Sequence, residues 1–176
     1  TNDMGVGMLE SLGLRAWDDN GDAVAPLVPA NWGRISHLKP PERLPRLASR
    51  IACDVRNPLH GDNGAAAVYG PQKGLRPEDE KRMRLEMERM DAMLRETFHG
   101  HPIPPSDSPG LGAAGGLPFG LSLIGEVKLL PGFDLMCDIL NLDEGIRSAD
   151  VVVTGEGALD RSSLEGKGPY EVMRRS

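Results

Sequence analysis

The sequence predicts an α/β fold, and three observations support that prediction. Residues 151–153 are a run of β-branched valines, the glycines at 155 and 157 follow, and a helix begins near Pro169, which is the strand–turn–helix order of α/β proteins. Residues 77–98 carry apolar side chains at helical spacing. The 176 residues, 39% hydrophobic and 26% charged, suit one domain, or one domain with a piece of another.

For the N-terminal residues 1–47, the sequence predicts one helix followed by mostly irregular structure. Asp3 can cap a helix that presents an apolar face and ends at Gly13. Residues 14–17 and the turn formers at 18–22 predict a tight turn between strands. The prolines within residues 26–47 favour irregular structure with one short helix.

The middle of the chain predicts a strand, a loop and two helices. Residues 51–53 form a short apolar run that predicts a buried strand ending at Asp54, before a loop at 57–64 that is rich in turn formers. Small apolar residues at 65–69 predict a short helix. The helix at 77–98 begins on Pro77 and has one apolar stripe, which indicates core packing: Met83, Met87, Met90, Leu94 and Phe98.

The C-terminal part predicts the remaining elements. A proline-rich loop covers residues 99–110, and a glycine-rich loop within 110–125 leads into a tightly packed helix. Residues 134–146 predict another helix, residues 150–154 predict the clearest strand of the chain, and residues 166–169 open a last helix.

Charge and composition exclude several functional classes. The net charge of −6 and the pI of about 5.2 give no basic field for a phosphate backbone, and 4% aromatic residues provide no base-stacking surface, so no nucleic-acid partner is expected. No apolar run reaches the roughly 20 residues that span a bilayer, so no membrane partner is expected either. Cys53 and Cys137 stand alone in apolar stretches, which indicates buried thiols in a reducing compartment and therefore a cytoplasmic protein; the alternative is a single disulfide between them.

The strongest local motif follows the predicted strand at 150–154. Gly155 and Gly157 would let a phosphate approach backbone N–H groups, and Lys167 could place a charge on it. Glu156 and Asp160 offer oxygen ligands for Mg²⁺. The alternative is a solvated turn whose acidic and serine residues cap helices.

Two further segments carry candidate residues. Asp54 at a strand end could act as a general base or a metal ligand, or it could form an Asx turn with Asn57 over Pro58. Lys73 lies in a turn bracketed by glycines and could bind an anionic substrate, although exposed lysines are common in turns.

Residues 110–115 match the pattern G-x-G-x-x-G. A dinucleotide fingerprint needs a strand before it, and here a proline-rich loop precedes it, so that function is not supported. The glycines are left with two interpretations: a cradle for an anion, or close packing of the backbone.

These motifs together resemble the glycerate kinase family of bacteria, of the type found with glyoxylate and galactarate pathway enzymes. The resemblance runs nearly end to end and has a departure at Met4, where the family usually has glycine. Five ordered stretches carry it: residues 1–8; Ala52–Leu59 with 61–65; Gly70–Gly74; Gly112–Leu117; and Val153–Gly157 with Asp160, Ser163, Gly166, Lys167 and Pro169.

The resemblance implies ATP-dependent phosphorylation of D-glycerate, typically at the 2-hydroxyl, with Mg²⁺. It also implies two α/β domains, a flavodoxin-like (Rossmann-like) domain and one inserted into it. Residues 1–147 would be the inserted domain and residues 148–176 the start of the flavodoxin-like one. The chain would then be the central fragment of a kinase, inactive alone, with a homodimer left open. The alternative is a catalytically inactive remnant or an anion-binding module of the same fold.

Residue type and position then predict roles for individual residues in that reaction. Asp54, or else Asp160, would accept the proton of the glycerate hydroxyl, and Lys73 or Lys167 would screen negative charge. Glu156 and Asp160 would bind Mg²⁺. The substrate- and phosphate-binding positions would be Asn57, Gly112, Gly115, Gly116, Gly155, Gly157, Ser163 and Lys167.

Overall fold

The computed structural model describes residues 2–45, 47–100, 102–157 and 168–176. The chain forms two compact units: unit 1 comprises residues 1–49 and 55–129, and unit 2 comprises residues 50–54 and 130–176. The α/β class is confirmed by a mixture of helices and two small sheets. The division of a whole enzyme between residues 147 and 148 stays a prediction.

Unit 1 begins with the predicted helix and a small sheet. Helix α1 spans Val6–Ser11, and Gly5 rather than the predicted Asp3 occupies its N-cap position. The Asp3 carboxylate still contacts the first turn, since it accepts the N–H groups of Gly5 and Gly7 at 3.2 Å each. Strand β1 (Arg15–Trp17) pairs antiparallel with β2 (His37–Lys39). A short 3₁₀ helix, Pro29–Arg34, confirms the one predicted among the prolines, whereas β2 was not predicted.

The second sheet pairs strands that are distant in sequence. Strand β3 spans Leu47–Ala52, and β4 spans Gly125–Leu130. The strand predicted at 51–53 is therefore confirmed, but its burial is wrong, because Ala52 is exposed and Cys53 only half-buried. Strand β4 was not predicted, although exposed Glu126 and Lys128 alternate with half-buried neighbours in the period-two pattern of a strand.

Helices build the core of unit 1. Helix α2 spans Ala65–Tyr69, α3 spans Pro77–Thr97 and α4 spans Leu117–Ser122, with 3₁₀ turns at Pro71–Lys73 and Ala113–Gly115. The predicted stripe of α3 is confirmed as core packing, since four of its members are buried: Met87, Met90, Leu94 and Phe98.

Unit 2 is mainly helical. Helix α5 spans Gly132–Leu140, α6 spans Leu142–Ser148 and α7 spans Gly168–Arg175. The single helix predicted over 134–146 is therefore divided, and the break lies at Asn141, whose φ of 51° is left-handed. Arg175 donates to the carboxylates of Asp134 and Asp143, so α7 is bound to both other helices.

The prediction of a strand at residues 150–154 is wrong. Residues 151–156 have no regular secondary structure, and the exposed fractions are 78% for Val151 and 90% for Val153. A strand is stabilised by hydrogen bonds to a neighbouring strand. In unit 2, the described residues offer this segment no such neighbour.

Cys53 and Cys137, which lie in unit 2, are thiols that form no disulfide with each other, although Cys53 is half-buried rather than buried as predicted. Cys137 is buried, and this burial raises the pKa of its thiol. Within the described parts of the chain, no helix is both long and apolar enough to cross a membrane.

Candidate functional site

A cluster of polar side chains in unit 1 is centred on Asn57. The hydroxyl of Tyr69 donates to Asn57 Oδ1 at 2.6 Å, and Asn57 Nδ2 donates to the carbonyl of Asn63 at 2.9 Å. These two bonds fix the orientation of the Asn57 amide and leave its second N–H as a donor for a ligand.

Lys73 joins this cluster from the turn after α2. Its Nζ donates to Asn2 Oδ1 at 2.9 Å and lies 5.7 Å from the centre of the Tyr69 ring. The side chain of Asn2 in turn donates to the carbonyl of Ala65 at 3.4 Å. The structure therefore brings together two residues that the sequence predicted separately, Asn57 and Lys73.

Tyr69 is a member of the cluster that was not predicted from the sequence. It ends α2 directly before the glycine-bracketed turn that carries Lys73. It touches both predicted residues, by a hydrogen bond to one and by its ring to the other. A lone tyrosine next to a candidate binding turn was the available signal, because a phenol combines an apolar ring with a polar tip.

The glycine-rich segment lies against Asn57. The Gly112 N–H donates to the carbonyl of Asn57 at 3.0 Å. A Cβ at Gly112 would meet the carbonyl of Pro58, so only glycine permits this approach. The packing interpretation of Gly112 is therefore supported, and the same contact places the glycine segment beside the polar cluster.

Two stretches of left-handed backbone meet at this segment. Ala114, Gly115 and Gly116 have φ of 49°, 75° and 89°, and Met4 and Gly5 have φ of 56° and 76°. The Met4 N–H donates to the carbonyl of Gly115 at 2.9 Å. Left-handed backbone is costly for Met4 and Ala114, and such strain is concentrated at functional sites. The left-handed φ of Met4 also explains why glycine would suit position 4.

Asp54 lies in unit 2, just after β3, and its carboxylate contacts the first residue of α5. Its Oδ1 accepts the N–H of Gly132 at 2.7 Å, which places a carboxylate at the positive end of the helix. This contact, rather than an Asx turn over Pro58, holds the side chain. Among the described residues, Oδ2 has no hydrogen-bond partner, so one oxygen remains available to accept a proton.

The glycine motif that follows Thr154, with Gly155 and Gly157, borders a cavity within unit 2. Thr154 and Gly155 line a cavity of about 550 Å³ together with Tyr170 and Met173 of α7. Glu156 is half-buried and Gly157 is exposed. The predicted residues Asp160, Ser163 and Lys167 lie outside the described residues. In the portions of the chain that are described, no three His, Cys, Asp or Glu side chains are grouped as a metal site requires.

Comparison with known proteins gives one consistent result. The glycerate kinase family profile matches residues 1–176. The chain is 40% identical to a glycerate kinase of Haemophilus influenzae, over 99% of this chain and 46% of that protein, and 37% identical to a glycerate 2-kinase of Escherichia coli, over 98% and 45%. The chain spans about half the length of these curated relatives.

A solved structure resembles the fold. The crystal structure of a putative glycerate kinase 2 from Salmonella typhimurium LT2 superposes with a TM-score of 0.80 at 33% sequence identity. The superposition covers 99% of this chain and 46% of that structure.

Proposed function

Because the chain belongs to the glycerate kinase family, we propose that it is the central portion of a kinase that phosphorylates D-glycerate with ATP, at the 2-hydroxyl. The observation that carries this proposal is the family match along all 176 residues. The 2-hydroxyl rests on the likeness to the Escherichia coli relative named glycerate 2-kinase. In the whole enzyme, residues 1–147 would belong to the inserted domain and residues 148–176 to the flavodoxin-like one.

In this reaction the glycerate oxygen bonds to the γ-phosphorus, the bond from phosphorus to the ADP oxygen breaks, and the hydroxyl proton must leave. We assign that proton to Asp54, because its carboxylate is exposed, is held through Oδ1 alone and keeps Oδ2 as an acceptor. Asp160 is the second candidate for the same role.

The Asn57–Lys73 cluster is proposed to bind the carboxylate of glycerate. A carboxylate at this position would accept the remaining amide N–H of Asn57 and be attracted by the Lys73 ammonium. The left-handed backbone at Gly115 and Gly116 would hold the neighbouring loop in shape, and Gly112 would keep that loop against Asn57.

The segment after Thr154 is proposed to bind the phosphates of ATP. Gly155 and Gly157 permit close approach to the backbone, and Ser163 and Lys167 supply a hydroxyl and a charge. Oxygen ligands suit Mg²⁺, so Glu156 and Asp160 would hold the ion, which when bound neutralises phosphate charge during transfer.

A coupled ADP-release assay with D-glycerate and Mg-ATP tests the proposal. We expect turnover by the full-length gene product and none by the 176-residue chain. Phosphorus NMR of the product distinguishes 2-phosphoglycerate from 3-phosphoglycerate. Full-length protein that turns over neither glycerate nor other hydroxy acids would overturn the kinase assignment and leave the anion-binding module.

The base is tested by Asp54→Asn in the full-length protein. Removing a general base lowers kcat by about 100-fold or more. The matched control is Asp138→Asn, which changes an exposed aspartate of unit 2 that pairs with Arg50 at 3.5 Å, and it should leave kcat unchanged. Unaltered turnover in Asp54→Asn would transfer the role to Asp160.

A further inference from the structure

A buried carboxylate lies on α3, among the apolar residues of its stripe. Asp91 is 6% exposed and accepts three hydrogen bonds. They come from His60 Nε2 at 2.9 Å, Arg95 Nε at 2.7 Å and Ser106 Oγ at 2.5 Å. The glycerate kinase chemistry proposed above gives these four residues no role.

The charge of Asp91 is compensated locally. Burial raises the pKa of the Asp91 carboxyl, but the hydrogen bonds from His60 and Ser106 and the charge of Arg95 outweigh it, so the pKa lies below its usual range. Ser106 and His60 both bond to Asp91 and not to each other, so the group is not a nucleophile–base pair. It is an ionised acceptor that holds its partners in place.

The partners belong to two different loops. His60 lies in the loop at residues 57–64, and Ser106 lies in the proline-rich loop before Gly110. Arg95 reinforces the second loop, because its Nη2 donates to the carbonyl of Pro104 at 2.8 Å and to Ser106 Oγ at 3.0 Å. The two loops also bond directly, from the Leu59 N–H to the carbonyl of Ser106 at 2.9 Å.

These loops carry the polar cluster of unit 1. Asn57 is three residues before His60, and its carbonyl accepts the N–H of Gly112 at 3.0 Å. We propose that Asp91 and His60 are positioning residues that fix the loop at 57–64 and so hold Asn57 in the geometry that binds glycerate. This inference rests on the proposed function, and neither residue touches substrate in it.

The first experiment uses His60 variants of the full-length kinase. In His60→Leu the Asp91 oxygen loses its donor from the loop, so we expect KM for glycerate to rise about tenfold while kcat changes by less than about threefold. His60→Gln places an amide N–H close to the position of Nε2 and should restore most of the affinity. The control is His99→Leu, an exposed histidine at the end of α3, with wild-type kinetics.

The second experiment measures backbone hydrogen exchange, which needs no activity. We expect amides of residues 57–64 to exchange faster in His60→Leu than in wild type, and not in His99→Leu. Unchanged exchange there would overturn the inference whether or not the enzyme turns over glycerate. A lower melting temperature in His60→Leu with unchanged KM would also overturn it, because the contact would then be structural only. An inactive wild-type protein would overturn the proposed function instead.

Discussion

Asp91 interrupts a stripe of apolar residues that otherwise faces the core. Met87, Met90 and Leu94 are its buried neighbours on α3, and a carboxylate among them needs compensation because burial strongly disfavours a lone charge. The guanidinium of Arg95 supplies it and also lies 5.3 Å from the centre of the Phe119 ring. Asp91 therefore connects the packing of α3 with the geometry of the two loops.

Because Asp91 is ionised in the folded protein, the free energy of unfolding depends on pH. The folded-state pKa of Asp91 lies below the unfolded value of about 3.9, so its contribution is fully present above that value and is lost as the pH falls through the folded-state pKa. We expect Asp91→Asn to lower the free energy of unfolding by about 3 kcal/mol at pH 7, and by less at pH 3, which lies below the unfolded-state pKa. Urea unfolding at both pH values measures the difference.

Asp79→Asn is the matched control on the same helix. Asp79 pairs at the surface with Arg76 at 2.7 Å and Arg82 at 3.3 Å, and exposed pairs contribute less than about 1 kcal/mol. An equal loss in Asp91→Asn at pH 3 and pH 7 would show that the charge of Asp91 is unimportant.

At the scale of elements, local patterns were predictable and distant pairings were not. Helix α3 was predicted almost to the residue, because its start, acidic first turn and apolar stripe all lie within its own sequence. Strand β4 was missed, since its partner β3 is far away in the chain. Residues 150–154, with valines at 151–153, satisfied every local criterion for a strand, yet a strand also requires a neighbour.

In the candidate site, too, the local residues were predictable and the contacts between distant segments were not. Asn57 and Lys73 were proposed from turn chemistry, but their common contact, Tyr69, depends on how α2 packs beside the loop. Position 91 carried a usable signal, because a carboxylate within an apolar stripe is rare unless it is paired. Which loops supply its partners could not be predicted, since His60 and Ser106 are distant from it in sequence.

The junction between α1 and α4 offers a test at this scale. Gly116 has a φ of 89°, and a Cβ there would lie 2.8 Å from Leu59 Cδ1 and 2.9 Å from Met4 Cα. Gly116→Ala should therefore lower the free energy of unfolding by about 3 kcal/mol, because left-handed strain and overpacking add together. Gly21 has a similar φ of 83° but open space around it, so Gly21→Ala should lose only about 1 kcal/mol. If chemical denaturation gave the same loss of unfolding free energy for both variants, the junction would be able to relax around a Cβ at position 116.

The whole molecule distributes its apolar surface unevenly. Unit 1 buries a continuous core, with Trp32, Leu59 and Phe119 each at most 1% exposed. Large exposed apolar side chains are frequent in unit 2: Met136, Ile139, Leu140, Val151, Val153 and Met173. Exposed apolar surface of this kind indicates a face that another surface covers. The chain spans 46% of its Haemophilus influenzae relative. If it is the central portion of a longer protein, as proposed above, we expect the further residues of that protein to cover this face.

Val153 provides the sharpest test of that expectation, because it is 90% exposed here and lies in a run of β-branched residues. In the 176-residue chain, Val153→Lys should change the free energy of unfolding by less than about 0.5 kcal/mol, as exposed substitutions do. In the full-length protein the same change would bury a charge between new neighbours and should lose about 3 kcal/mol. Leu85→Lys, on the exposed side of α3 at 57%, is the control and should be nearly neutral in both proteins. A neutral Val153→Lys in the full-length protein would place residues 150–154 at its surface and contradict the expectation that this apolar face is covered.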